Sequence, residues 1–359
     1  MVYKIFPEKS ATLYSYYPTL NSGIDEILDF STYFSIDGTY QVSRPIIKFP
    51  QDEINDIFNN KINGKEHDVY LRLFLANSSQ LPLDYKIHCY PLSVDWNIGT
   101  GRFSNSPITI DGVSWQYNKG LNEGSQWFDI SIPGTTGSYS SNVGGGLWYI
   151  DYNSTQSFNR VSNKDIELNV TSIVDEWYTG SIENYGFILK HEDKLEFNTS
   201  SYFELKYFSG NTHTIYPPCL EIKWDDYNYS SSLNVVNNQN IILTLENNIS
   251  EYQQDSVQRF KINVRDKYPV RIFQTSSLYL DNKILPTSSY YQIKDLDTEE
   301  IIIDFDEKYT KISANDEGNY FDIYMNGLEC SRYYKILIKT IINDSVLVLD
   351  DNYFFKVIP

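Results

Sequence analysis

The sequence predicts an all-β protein made of two β-sandwiches, and three observations lead to that expectation. Aromatic side chains are abundant, with 31 Tyr, 19 Phe and 6 Trp against 2 Met. Such residues fit pleated, half-buried surfaces, while runs of strong helix formers are nearly absent. Short apolar runs recur between clusters of Gly, Asn, Ser and Pro, which is the rhythm of strands and turns in a sandwich or barrel. The 359 residues suffice for two domains with separate cores, and a polar stretch divides the strand candidates into two sets.

The first set reads, in order, RPIIKFP (44–50), DVYLRLFLAN (68–77), YKIHCYPL (85–92), QWFDISI (126–132), IELNV (166–170), YGFILK (185–190) and CLEIKW (219–224). Between the third and fifth of these, residues 98–146 are loop-like and hold many of the 18 glycines. Long irregular stretches of this kind lie on the surface and often carry recognition. One segment changes period. After Ile166, Leu168 and Val170 alternate as in a strand, Ile173, Val174 and Trp177 follow at spacings of three and four, so a single amphipathic helical turn is expected between two strands. Thr171 is the candidate N-cap, and Gly180 allows the chain to reverse.

The stretch WDDYNYSSSLNVVNNQN (224–240) lacks aliphatics at its centre and reads as a linker. The expected division is therefore a sandwich over 1–226, a polar linker over 227–240 and a second sandwich over 241–359. The second set runs IILTLEN (241–247), QRFKINVRD (258–266), TSSLYLDN (275–282), YYQIKD (290–295), EEIIIDFD (299–306), NYFDIYMNG (319–327), YYKILIKTII (333–342) and NYFFKVIP (352–359). Most alternate apolar with polar, one face toward a core and one toward water. The number of strands and the length suit an immunoglobulin-sized sandwich. Leu328 before the pair Tyr333-Tyr334 suggests a tyrosine corner, in which a Tyr hydroxyl reaches back to upstream backbone; the alternative is that the pair simply opens a strand.

The formal net charge of −18 argues against nucleic acid, which needs clustered Lys and Arg, and against an anionic membrane surface. No stretch has the roughly 20 apolar residues of a bilayer span. The opening MVYKIFPEKSATLYSYYP has neither an apolar core nor a small-residue cleavage site, so a secretory signal is not expected. Cys89, Cys219 and Cys330 contain no C-x-x-C pair and read as structural thiols of a reducing compartment.

In chain order, segments of residues 1–226 resemble the DNRLRE family, a jelly-roll β-sandwich of bacterial surface proteins, carbohydrate-associated modules and phage structural proteins. The resemblance is carried by Asn21, Gly23 and Leu28; by Arg44, Ile46, Ile47, Lys48 and Phe49; and by Leu71, Arg72, Leu73, Phe74 and Leu75. It continues through Trp96, Gly99 and Gly101, then Gly112-Val113-Ser114-Trp115, the element Asn169 to Trp177, and Asn184-Tyr185-Gly186-Phe187-Ile188-Leu189-Lys190. It implies that the turn at 171–177 caps one end of the sandwich, and that the protein is structural or binding. The second domain takes no part in it.

No catalytic constellation, cofactor site or metal site emerges from the residues. His67, His88, His191 and His213 are far apart, and the acids Asp295, Asp297, Asp304 and Asp306 lack a calcium-loop pattern. Trp115, Trp127 and Trp148 border the Gly-rich loops; they are candidate glycan contacts, weighed against the commoner role of Trp as sandwich core. The expectation is a non-enzymatic structural component of a bacteriophage virion (tail, fibre, collar or capsid decoration). It would assemble in the host cytoplasm and bind other virion proteins and copies of itself. The alternative is a carbohydrate-binding or host-adhesion module with a host-surface glycan as partner, and a third class, a hydrolase, finds no candidate carboxylate.

Overall fold

The computed structural model of the chain describes residues 1–36, 38–127, 135–137, 144–196, 198, 202–246, 248–268 and 282–359. Two compact units divide the chain: Ile5–Gly64 with Asp68–Ile222, and Met1–Lys4 with Lys65–His67 and Lys223–Pro359. Of the expected strands at 126–132 and 275–282, residues 128–132 and 275–281 lie outside the described residues. No helix among the described residues is long and apolar enough to cross a membrane.

The chain forms β1 (Val2–Ile5), β2 (Lys9–Tyr14), β3 (Ile27–Phe34), β4 (Tyr40–Lys48), α1 (Gln51–Asp56), β5 (His67–Leu73), β6 (Leu75–Ser79), β7 (Asp84–Pro91), β8 (Thr135–Gly137), β9 (Leu147–Tyr149), β10 (Ser154–Asn159) and β11 (Ile166–Asn169). There follow α2 (Thr171–Thr179), β12 (Phe187–His191), α3 (Asp193–Glu196), β13 (Phe203–Phe208) and β14 (Cys219–Trp224). The pairings nest. β3 runs antiparallel to β13, β4 to β12, β5 to β11 and β7 to β10. The segment is thus one long hairpin folded over itself, the jelly-roll form of the all-β sandwich expected from the sequence.

The large sheet runs β10-β7-β12-β4-β3-β13-β6, with β2 also on β4. β4 serves two neighbours along its length, pairing β3 through Tyr40–Val42 and β2 through Ser43–Lys48. In the smaller sheet β14, β5 and β11 lie side by side. Strand β5 alternates as its sequence demands, with Val69, Leu71 and Leu73 buried and Tyr70 and Arg72 turned the other way. Strands β4 and β12 do not alternate: Val42 to Ile47 and Phe187 to His191 are buried without a break. Runs of that kind mean that both faces of the sheet are covered.

The amphipathic turn is α2. Ile173, Val174 and Trp177 are buried, the Trp177 ring meets Phe187 with centroids 4.5 Å apart, and Gly180 closes the helix in the left-handed region at φ 76°. One detail differs. Thr171 is inside the helix, and its hydroxyl accepts from the Val69 N–H at 2.8 Å, while the Asn169 side chain accepts from the Thr171 N–H at 3.1 Å. An Asx turn therefore does the capping, and Thr171 ties the helix to β5. Trp177→Ala should destabilise this sandwich by about 3–5 kcal/mol, the usual cost for a large core aromatic. Chemical denaturation followed by fluorescence checks it.

The helix α1 was not expected. Ile54, Ile57 and Phe58, at helical spacing, are buried through α1 and the π-helical turn Ile57–Ile62 that follows, and the Phe58 ring packs on Tyr178 of α2 at 4.8 Å.

The second unit contains β15 (Ile241–Glu246), β16 (Glu251–Gln253), β17 (Val257–Asp266), β18 (Ser289–Asp295), β19 (Ile301–Ile303), β20 (Ser313–Asn315), β21 (Gly318–Tyr324), β22 (Tyr333–Ile342), β23 (Ser345–Leu349) and β24 (Phe354–Ile358). One sheet runs β15-β17-β21-β20 and the other β16-β24-β22-β18-β19, with β23 a hairpin on β22. These orders correspond to the A-B-E-D and G-F-C sheets of an immunoglobulin-like sandwich. The split first strand is present as well: β15 is antiparallel to β17, and β16 is parallel to β24. The tyrosine corner is Tyr334. Its hydroxyl donates to the Glu329 carbonyl at 2.9 Å, both Tyr334 and Leu328 are buried, and Tyr333 is exposed.

Residues 227–240, expected as a linker, pack on this unit. The Ser230 N–H donates to Ala314 O and the Ala314 N–H to Asn228 O, both at 2.9 Å. Val236 enters the core, and the Ser232 hydroxyl donates to Asp316 at 2.9 Å. Asn and Ser suggested solvent, but here they satisfy backbone and carboxylate partners along a strand edge.

Candidate functional site

On the outer face of the large sheet, β2 presents Ala11 and Leu13, β4 presents Val42 and Ile46, and β12 presents Ile188. Left open, this would be an apolar patch in water. The Gly-rich chain that follows β7 returns over it instead and lays down Leu92, Trp96, Val113, Trp115, Trp127, Leu147 and Trp148 as a second core. Two polar clusters hold that layer in place.

The first centres on Asn21, which is fully buried. Its amide nitrogen donates to the carbonyls of Ile98 at 2.7 Å and Val113 at 2.9 Å. Its amide oxygen accepts from the N–H of Gly101 at 2.7 Å and of Gly23 at 3.3 Å. All four hydrogen-bonding positions of the side chain are thus used. The backbone closes in so tightly that a methyl group on Gly112 would overlap the Cα of Gly99, and one on Gly101 would overlap the carbonyl of Asn21. Three of the motif segments meet at this point.

The second centres on Arg44, on the outer face of β4. Its Nε and Nη2 donate to the two carboxylate oxygens of Glu196 at 3.0 and 2.6 Å, and Nη1 donates to the Gly145 carbonyl at 2.7 Å. The guanidinium lies 5.1 Å from the Trp115 ring centre and 5.4 Å from that of Trp148. Lys190, the neighbouring outward residue of β12, places Nζ 3.9 Å from Glu196 and 5.4 Å from the Trp148 ring. A planar fork that is bidentate to a carboxylate and within cation–π distance of two indoles is a role that suits Arg over Lys.

The three tryptophans singled out as candidate glycan contacts are therefore inside this layer, at 9 % exposure for Trp115, 1 % for Trp127 and 4 % for Trp148. The Trp127 indole N–H donates to Ser114 O at 2.8 Å. None of the three presents a free ring face at the surface. The exposed aromatics near the loops are others. Phe103 packs against Tyr14 with ring centres 4.9 Å apart and against Tyr17 at 5.7 Å, and Tyr17 meets Tyr16 at 4.8 Å. Tyr16, Tyr17 and Phe103 are exposed. Carboxylates rim the cluster: Asp25 accepts from the Phe103 N–H at 2.9 Å, Asp29 accepts from the Tyr14 hydroxyl at 2.6 Å, and Glu26 pairs with Arg102 at 3.5 Å. Burial raises the pKa of both Asp25 and Asp29. The paired tyrosines of the run TLYSYYP are the sequence signal for this cluster.

The acids at 295–306 serve turns. Asp295 accepts from Arg332 at 2.6 Å and from the Thr298 hydroxyl at 3.0 Å; Asp304 accepts from Gln292 at 2.6 Å; Asp306 accepts from the Lys308 N–H at 2.8 Å. Among the described residues no group of three or more His, Cys, Asp or Glu is placed to hold a metal ion. His88 and His191, far apart in sequence, stand on the paired strands β7 and β12, but one register position apart, so the pleat turns them to opposite faces.

No protein-family model matches the chain, and no curated protein matches it. Among solved structures, a DUF4785 family protein from Legionella pneumophila aligns at 8 % identity over 98 % of this chain, with a TM-score of 0.17. The chain spans 65 % of the length of that protein.

Proposed function

We propose that the protein is a non-enzymatic structural component of a bacteriophage virion, in the tail, fibre, collar or capsid decoration, acting through protein–protein interfaces that include copies of itself. One observation carries this reading. The residues that resemble the DNRLRE family are committed to holding the fold: Asn21, Gly23, Gly99, Gly101 and Gly112 in one knot, Arg44, Trp115 and Lys190 in the other, Trp177 in the cap. Asn184 adds a bond to the Phe49 carbonyl at 3.1 Å, and Arg72 an ion pair with Glu221 at 3.4 Å. Residues of these types at a catalytic centre would instead converge on an open cleft. A module whose distinctive residues all build shape supplies surface and rigidity, and symmetric assembly is how such modules act. Mass spectrometry of purified particles should find this chain in fixed proportion to the other particle proteins. Particles that lack it would overturn the proposal.

The host-adhesion reading has its own observation, the exposed cluster of Tyr16, Tyr17 and Phe103 beside Asp25, Glu26 and Asp29. Aromatic faces next to carboxylate acceptors suit the C–H and hydroxyl groups of a sugar ring. On that reading a glycan array gives a signal that the double replacement Tyr17→Ala/Phe103→Ala removes at unchanged melting temperature. A signal that survives the double replacement, or none with the unaltered chain, excludes this cluster as a glycan site. Replacing the buried tryptophans does not discriminate, since their loss disturbs the core.

A further inference from the structure

His191 ends β12 inside the N-terminal sandwich, fully buried. Its ring lies parallel to Phe30 with centres 3.8 Å apart and edge-on to Phe203 at 3.8 Å. Neither ring nitrogen makes a hydrogen bond of ordinary geometry, although the Lys86 backbone lies near enough to favour the protonated ring. A histidine in such a place makes no bond that would explain its presence, yet it can take up a proton.

Among the described residues, the surroundings give that proton no counter-charge. On β12 itself, Lys190 and Glu192 belong to the opposite face of the pleat from His191; on β7, Lys86 and His88 do likewise relative to Ile87, the register partner of His191. Phe30 and Phe203 are the inward residues of β3 and β13, so their neighbours Asp29 and Glu204 turn away. On β4, Arg44 faces the tryptophan layer, and on α3 Glu196 is held there by Arg44 and Lys190, while Lys194 is exposed. Among the described residues, the titratable groups turned to this interior are Tyr85, whose hydroxyl also lacks a partner, Cys89 and Tyr207. None of them is an anion near neutral pH.

We propose that His191 is an acid trigger built into the fold: its protonation is compatible only with a loosened N-terminal sandwich, so mild acid releases this unit. Desolvation by burial holds the imidazole well below its ordinary pKa of 6.5; the Lys86 backbone acts in the other direction, and coupling to His88 and the positive charges of Lys190 and Arg44 deepen the lowering. The sign follows from linkage. Above about pH 6.5 the ring is neutral in both states and stability does not depend on it. As pH falls below that value the unfolded chain binds a proton that the folded one refuses, so the folding equilibrium drops by up to about tenfold per pH unit. Release would then follow on entry into an acidic compartment.

The test compares the full chain with His191→Phe by chemical denaturation between about pH 8 and about pH 5. The expected result is an N-terminal transition that weakens below pH 6.5 in the unaltered chain by up to about tenfold per unit beyond what the other titrating groups contribute. In His191→Phe that slope is smaller by one proton, leaving the part due to carboxylates and His88. Equal slopes in both would overturn the proposal. Should His191→Phe not fold, ring ¹⁵N shifts of the unaltered chain decide. A His191 ring that stays neutral while the protein is folded at about pH 5.5 supports the trigger, and one that titrates near 6.5 in the folded state overturns it.

Discussion

Replacing Arg44 by methionine is expected to destabilise the N-terminal sandwich by about 5 kcal/mol. Removing one partner of a buried ion pair costs about 3–5 kcal/mol, because the other charge is left in the interior. Here that charge is Glu196, with no solvent exposure. The cation–π contacts with Trp115 and Trp148 add about 1–2 kcal/mol for a desolvated guanidinium. With urea slopes of about 1–3 kcal/mol/M, the midpoint should fall by roughly 2 M. Arg44→Lys should recover little, since an ammonium cannot fork across both carboxylate oxygens. Arg44→Met with Glu196→Leu should recover part of the loss, because no buried carboxylate then remains, while Lys190 gives up its ion pair with Glu196. A single Arg44→Met variant within about 1 kcal/mol of the unaltered chain would mean that the clamp does not hold the layer.

Asn21→Ala is expected to cost about 4–6 kcal/mol. It strands two carbonyls, of Ile98 and Val113, and two N–H groups, of Gly23 and Gly101. Each buried group without a partner costs about 1–3 kcal/mol, reduced where water reaches it. Asn21→Asp separates shape from bonding. Its volume is nearly that of Asn, but it turns an acceptor toward the Ile98 and Val113 carbonyls, so it should fare no better than Ala. Denaturation at neutral pH, with the two variants side by side, checks both. If Asp restored stability, the two donated bonds would be unimportant.

The strands were legible because their alternation and aromatic content are local properties. YYKILIKTII, CLEIKW and the turn at 171–179 stand where their periodicity placed them. Tyr334 was legible for the same reason, its partner carbonyl being only five residues upstream. The outer loop layer was not. The apolar runs at 45–47 and 187–189 are covered on both faces, and nothing in a local run names the distant segment that supplies the cover. Asn21 meets Val113 across 92 residues, a separation at which spacing carries no information about contact. The polar segment 227–240 misled because Asn and Ser satisfy backbone as readily as water. Loop tryptophans likewise cannot be sorted into core or surface until the segment above them is placed, and Arg44 is what places it.

Hydrogen–deuterium exchange of the full chain, read peptide by peptide, tests most directly whether the Gly-rich loop is a fixed outer layer of the sandwich. Peptides across 96–118 should exchange nearly as slowly as those of β4 and β12, since the N–H groups of Asn97 and Val113 are bonded within the loop and that of Gly101 to Asn21. Arg44→Met should release that protection first. Exchange of 96–118 within seconds in the unaltered protein, as in a solvated loop, would contradict it.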